Sequence, residues 1–138
     1  MKYIFSKQFN EVYFNLLNYL IQFVDNETNK TDFLKFIDKN LTMKKVNPSI
    51  FIKKWYEYIT IRYYNDIIFR DNINVFIHHN YSSDIQNEMF FVDNKTLDSM
   101  LKYINIALEK YNSLNVDIQH KIMYDIKQLT ILSYNYIN

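Results

Sequence analysis

From Lys7 to Val24 the apolar positions fall at Phe9, Val12, Tyr13, Leu16, Leu17, Leu20 and Phe23. That alternation of three and four residues is the stripe of one amphipathic helix, and it predicts a helix over 7–24. The polar run Asp25-Asn26-Glu27-Thr28-Asn29 breaks it. A second, shorter helix is expected with Thr31 as its cap and with Phe33, Phe36, Ile37 and Leu41 on one face. Asn47-Pro48 reads as a third start, an Asn cap followed by Pro at the first helical position. Ile52, Trp55, Tyr56, Ile59 and Tyr63 form its inner stripe, which Ile67 extends. On the outer side Lys53 and Glu57, and Arg62 and Asp66, stand four apart as solvated pairs.

The pattern weakens between Arg70 and Phe91. Asp71-Asn72 suits a cap for a short helix through Ile73, Phe76 and Ile77, and Tyr81-Ser82-Ser83-Asp84 reads as a turn. Ile85 to Val92 fits either a helical turn or an extended segment. Asp93 or Thr96 then opens a helix with Leu97, Leu101, Ile104, Leu108 and Tyr111 on one side. Asn115 or Asp117 opens the last, carrying Ile118, Ile122, Ile126, Leu129 and Ser133. The expected fold is all-α: a single domain over 1–138, a compact bundle of five to six helices with short loops and no confident strand.

Composition changes this picture in one direction. The chain has no Gly, no Cys, one Pro and one Ala, and its lysines outnumber its arginines fourteen to two. Ile, Asn, Lys, Tyr and Phe have codons built mostly from A and T, so an AT-rich genome accounts for the bias, including much of the 18% aromatic content. Helix ends without glycine are expected to use Asn in the left-handed position.

The same absences exclude functions. Phosphate-binding loops, dinucleotide fingerprints and nucleophile elbows all need glycine where the backbone turns sharply or meets a phosphate. Without cysteine there are no disulfides, thiolate zinc sites or cysteine nucleophiles. No apolar run is long enough for a signal peptide or a spanning helix, which predicts an intracellular protein with no membrane association.

Candidate chemistry is sparse. His78 and His79 are adjacent, so on a helix they point about 100° apart and do not share one metal, and His120 has no helical ligand spacing around it. Asp66 and Asp71 are the nearest approach to a carboxylate pair, but Arg62 and a cap position account for them. No set of residues converges on nucleophile, base and oxyanion roles, so the expectation is a protein that is not an enzyme, with no cofactor and no metal.

Charge is uneven along the chain. Residues 35–70 hold eight basic against three acidic groups, net +5, whereas 1–34 carry −1 and 71–138 carry −3, which sums to the overall +1. A basic middle beside aromatic side chains offers a nucleic-acid reading through Lys44, Lys45, Lys53, Lys54 and Arg62. Tyr3, Tyr58, Tyr64, Tyr81, Tyr134 and Tyr136 fall off the drawn stripes and offer another. They suggest a tyrosine-rich surface for a protein partner, with Tyr134 and Tyr136 on the last helix as part of it.

The segments Asn47-Pro48 through Trp55-Tyr56, Tyr63-Tyr64-Asn65-Asp66-Ile67-Ile68, Arg70-Asp71 and Phe76-Ile77 resemble a pattern in short helical proteins of nucleocytoplasmic large DNA viruses. The closing run Lys121 to Leu132 is similar to the last segment of those proteins, with Met123 standing where they usually carry an aromatic residue. The resemblance implies a viral helical protein without known catalytic residues. The expected function is therefore a small interaction or structural protein of a large DNA virus. Its expected setting is the host cytoplasm, the viral factory or the virion. Its expected partners are viral or host proteins, or a second copy of itself. Nucleic-acid association through 35–70 is the alternative.

Overall fold

The computed structural model describes residues 2–74, 105 and 108–138, and among these every long element is helical. Helix α1 spans Lys2–Leu20 and continues into a tight turn at Ile21–Phe23. It therefore starts before Lys7. Phe5 and Ser6 already lie inward, so the buried stripe begins one turn earlier than the apolar pattern shows.

Helix α2 spans Glu27–Val46, and Asn26, not Thr31, caps it. The Asn26 Oδ1 accepts from the backbone N–H groups of Thr28 (2.8 Å) and Asn29 (3.3 Å), while Glu27 meets the positive end of the helix dipole. Thr31 lies inside the helix, its hydroxyl donating to the Glu27 carbonyl.

The third rod does not begin directly at Asn47-Pro48. Those residues form a turn, Ser49 precedes the first helical residue, and the Ser49 hydroxyl donates to Asn47 Oδ1. Helix α3 (Ile50–Trp55) then runs through a widened turn of i→i+5 type at Tyr56–Thr60 into α4 (Ile61–Ile68). The extra residue in that turn rotates everything after it. Tyr58 and Thr60 go into the core, whereas Tyr56 and Tyr63, expected on the inner stripe, are only partly buried. The expected outer pairs also change: Glu57 is held by Lys54 at 2.9 Å, and Asp66 by Arg70 at 3.1 Å.

Asp71 ends this rod with φ of 51°, and the Asn72 N–H closes back on the Asp66 carbonyl. Among the described residues this left-handed position falls to Asp, and no Asn takes it. Asn72 rather than Asp71 acts as the local cap, accepting from the Asn74 N–H. The final helix, α5, spans Val116–Ile137 and is capped by Asn115, whose Oδ1 accepts from the Ile118 N–H. The described residues thus hold four helical rods; most of the helix expected over 93–111 and the uncertain stretch 76–92, including Tyr81, His78 and His79, lie outside them.

Helix α5 is the centre of the packing: α1 lies along it most extensively, and α3, the wide turn and α4 cross it. Phe9, Tyr13 and Phe14 of α1 meet Phe51 and Trp55 of α3 in one aromatic cluster, with ring centroids 5.1–6.2 Å apart. Mixed stacked and edge-on contacts of this kind add to the burial of the rings themselves. Ile122, Ile126 and Leu129 line the facing side of α5. At its start, Tyr111 and Gln119 exchange hydrogen bonds, each side chain donating to the other's carbonyl. Lys110 pairs with Asp25, and Lys127 with Asp71.

Helix α2 reaches the core through Phe33, Phe36 and Ile37, but Leu41 is exposed and Asn40 is buried in its place. The Asn40 Oδ1 accepts from the Tyr13 hydroxyl at 3.0 Å while its Nδ2 donates to the Phe36 carbonyl at 2.7 Å. Burial holds the Tyr13 hydroxyl well above the ordinary tyrosine pKa of 10.0. The folded state therefore favours the neutral phenol. That contribution is complete below pH 10 and is lost as pH rises through the raised folded value. Tyr13→Phe should cost about 1–2 kcal/mol at neutral pH, because Asn40 loses its donor, and should flatten the decline in stability above pH 10. Denaturant melts on either side of pH 10 check both effects. A variant that declines in parallel with the wild type would rule out Tyr13 as a source of the alkaline sensitivity.

Candidate functional site

Two features of the surface go beyond ordinary solvation. The first lies where α4 crosses the C-terminal half of α5. Thr60 and Ser133 are both buried there, with hydroxyl oxygens 2.5 Å apart, so the two backbones approach closely. Just outside this contact the Tyr64 ring packs against Tyr134 at 4.9 Å and against Phe69 at 6.2 Å. Phe69 is 74% exposed and Tyr134 43%. Ile61, one turn before Tyr64, and Ile131, one turn before Tyr134, are exposed as well and extend the strip along both helices. Single exposed apolar residues are common on any surface, but ring-to-ring contact across two helices makes a joined apolar face.

Of the two tyrosines expected at an interface, Tyr134 stands on this face. Tyr136 does not: it is buried, packed toward α1 with the Lys2 ammonium 5.0 Å from its ring centre. Two residues apart on a helix are about 200° apart, which places the pair on opposite sides of α5. Of the other off-stripe tyrosines, Tyr58 is buried, Tyr64 is half-buried and Tyr3 is exposed.

The second feature is a groove of about 420 Å³ between the first turns of α1, the Pro48-Ser49 turn and the end of α5. Lys2, Lys7, Lys44, Tyr3, Asn10 and Tyr136 line it. Asn10 is buried; its Nδ2 donates to the Pro48 carbonyl at 2.8 Å, which fixes the orientation of the amide. Among the described residues its Oδ1 has no hydrogen-bond partner. A buried acceptor without a donor costs about 1–3 kcal/mol, so the position is a local weakness in the fold.

The basic residues of the nucleic-acid reading are dispersed in role. Lys45, Lys53 and Arg62 are exposed. Lys54 is tied to Glu57, and only 12% of its side chain is accessible, so it is poorly placed to meet a phosphate. Lys44 turns over the Phe14 ring at 5.3 Å and belongs to the groove. The sequence signal that names Lys44 does not reach Lys2 or Lys7, because it sums charge along the chain and these three meet only through the α1–α2 turn.

Among the described residues the titratable groups with shifted values include the tyrosines Tyr13 and Tyr111. Tyr111 is raised, first by partial burial and then by the nearby Asp71 carboxylate, and it is engaged with Gln119. His120 is exposed on the first turns of α5. Among the described residues no group of three or more His, Asp or Glu is close enough to hold a metal ion, and no helix is long and apolar enough to cross a membrane. No family model, curated protein or solved structure matches this chain.

Proposed function

We infer that the protein is a non-enzymatic interaction or structural protein of a large DNA virus, working through the aromatic face at the α4–α5 crossing. The observation that carries the interaction reading is the ring contact Tyr64–Tyr134 with Phe69 beside it, apolar surface that the fold builds from two helices and leaves exposed. Aromatic side chains are enriched at the centres of protein interfaces, where they contribute large area for few rotatable bonds. The viral origin rests on the resemblance of the Asn47–Ile77 and Lys121–Leu132 patterns and on the AT-rich codon bias.

The occupant proposed for this face is a second copy of the chain. The net charge of +1 provides little repulsion between copies, and two-fold symmetric dimers are the commonest assemblies. Light scattering at micromolar concentration should therefore give twice the chain mass of 17.0 kDa. Phe69→Asp with Tyr134→Asp should return the mass to 17.0 kDa while leaving the helical circular dichroism unchanged. A wild-type mass of 17.0 kDa throughout the concentration series would remove self-association and leave a different protein as the partner.

A further inference from the structure

We propose that the groove between α1 and the Pro48-Ser49 turn binds a nucleoside phosphate, either as a free nucleotide or as one unit of a single strand. Its volume of about 420 Å³ falls in the range of sites that enclose small molecules. Its charge selects an anion: three ammonium groups (Lys2, Lys7 and Lys44) face one carboxylate, Glu11. None of the three is in an ion pair among the described residues. Two of them are positioned by rings instead, Lys2 over Tyr136 and Lys44 over Phe14. Ammonium groups held in this way keep their charge for a phosphate, which lysine meets as a point charge.

The aromatic half of the ligand follows from Tyr3 and Asn10. Tyr3 is 72% exposed at the rim of the groove, so its ring face is open to a base, and stacking on tyrosine is available to every base. Asn10 is 5% exposed, and among the described residues its Oδ1 lacks a donor, which the exocyclic amine of adenine or cytosine supplies. The groove and the aromatic face are separate sites, because Tyr136 and Tyr134 lie on opposite sides of α5. Tyr134→Asp should leave nucleotide binding unaltered whatever it does to the oligomeric state.

Titration calorimetry on the full chain tests this with AMP, adenosine and inorganic phosphate as probes. AMP should bind saturably, with an affinity that falls as salt rises, and both adenosine and phosphate should bind at least about tenfold more weakly. Lys7→Ala with Lys44→Ala should weaken AMP about tenfold or more. Tyr3→Ala should weaken AMP and leave the weak response to phosphate where it was, a split that a general loss of structure would not produce. A 5′-phosphorylated deoxyadenosine trinucleotide, which keeps the base of AMP, distinguishes the sources: tighter binding than AMP marks a strand unit, equal or weaker binding a free nucleotide. The proposal fails if a folded wild type shows no saturation with AMP at millimolar concentration. It fails equally if phosphate alone matches AMP, or if the lysine variant binds as the wild type does.

Discussion

Trp55→Ala is expected to cost about 3–5 kcal/mol, the largest effect of any single truncation in the fold. Trp55 is 3% exposed, meets the edge of Phe9 at 6.2 Å and donates its Nε1–H to Thr130 Oγ1 at 3.2 Å. Removing the indole opens a cavity where α1, α3 and α5 meet. It also takes one donor from Thr130, whose hydroxyl itself donates to the Ile126 carbonyl. A domain of this size has about 5–15 kcal/mol in total, so the variant should be close to unfolding at physiological temperature. Trp55→Phe separates the two contributions: it keeps most of the ring packing and loses the hydrogen bond, for about 1–2 kcal/mol. Guanidinium denaturation of both variants provides the check. A midpoint near wild type for the alanine variant would place Trp55 outside the packing that holds the three helices together.

The cluster around Trp55 was legible from sequence because each helix carries its own periodic signal. Phe9, Tyr13, Leu16, Leu17 and Leu20 on α1, and Ile122, Ile126, Leu129 and Ser133 on α5, lie on the buried faces their spacing predicts. The all-α class follows from the same periodicity. What the spacing misses has two physical origins. One is local: a turn of i→i+5 type adds a residue to a rod otherwise built at about 3.6 per turn, so a fixed template assigns Tyr63 fully inward and Tyr58 outward, whereas Tyr58 is buried and Tyr63 only partly so.

The other is pairwise. Asn40 is buried in preference to Leu41 because its amide receives the Tyr13 hydroxyl from another helix, and no pattern within α2 contains that partner. The stripe pattern leaves Tyr136 at the surface, yet α1 and the Lys2 ammonium cover its ring. The groove is illegible for the same reason, since Lys44 is far in sequence from Lys2 and Lys7. The sequence pattern puts Asn26 in the polar break and Thr31 at the cap, because the apolar stripe of α2 begins only at Phe33. The helix starts earlier, where the Asn26 side chain reaches two free N–H groups.

Ser133→Leu is expected to be nearly as disruptive as the loss of Trp55, although it adds a side chain where the other removes one. Ser133 is fully buried, and its Oγ donates to the Thr130 carbonyl at 2.9 Å and stands 2.5 Å from the Thr60 hydroxyl. That short contact exists because both residues are small. It lets the wide turn after α3 sit directly on α5, and it gives the buried Thr60 hydroxyl its hydrogen-bond partner among the described residues. A leucine at 133 must push the turn away from α5 or take a strained rotamer, at about 1–3 kcal/mol, and it strands the Thr60 hydroxyl for about 1–3 kcal/mol more. Ser133→Ala causes no overpacking, so it should show the hydroxyl term alone. If the wide turn is what brings Tyr58 and Thr60 inward, Ser133→Leu should also displace Tyr64 from Tyr134 and expose Tyr58. Thermal melts measure the stability change, and tyrosine solvent perturbation measures the exposure. A leucine variant that melts like the alanine variant would mean that the two backbones have room to spare at this crossing, and that close approach does not hold the turn in place.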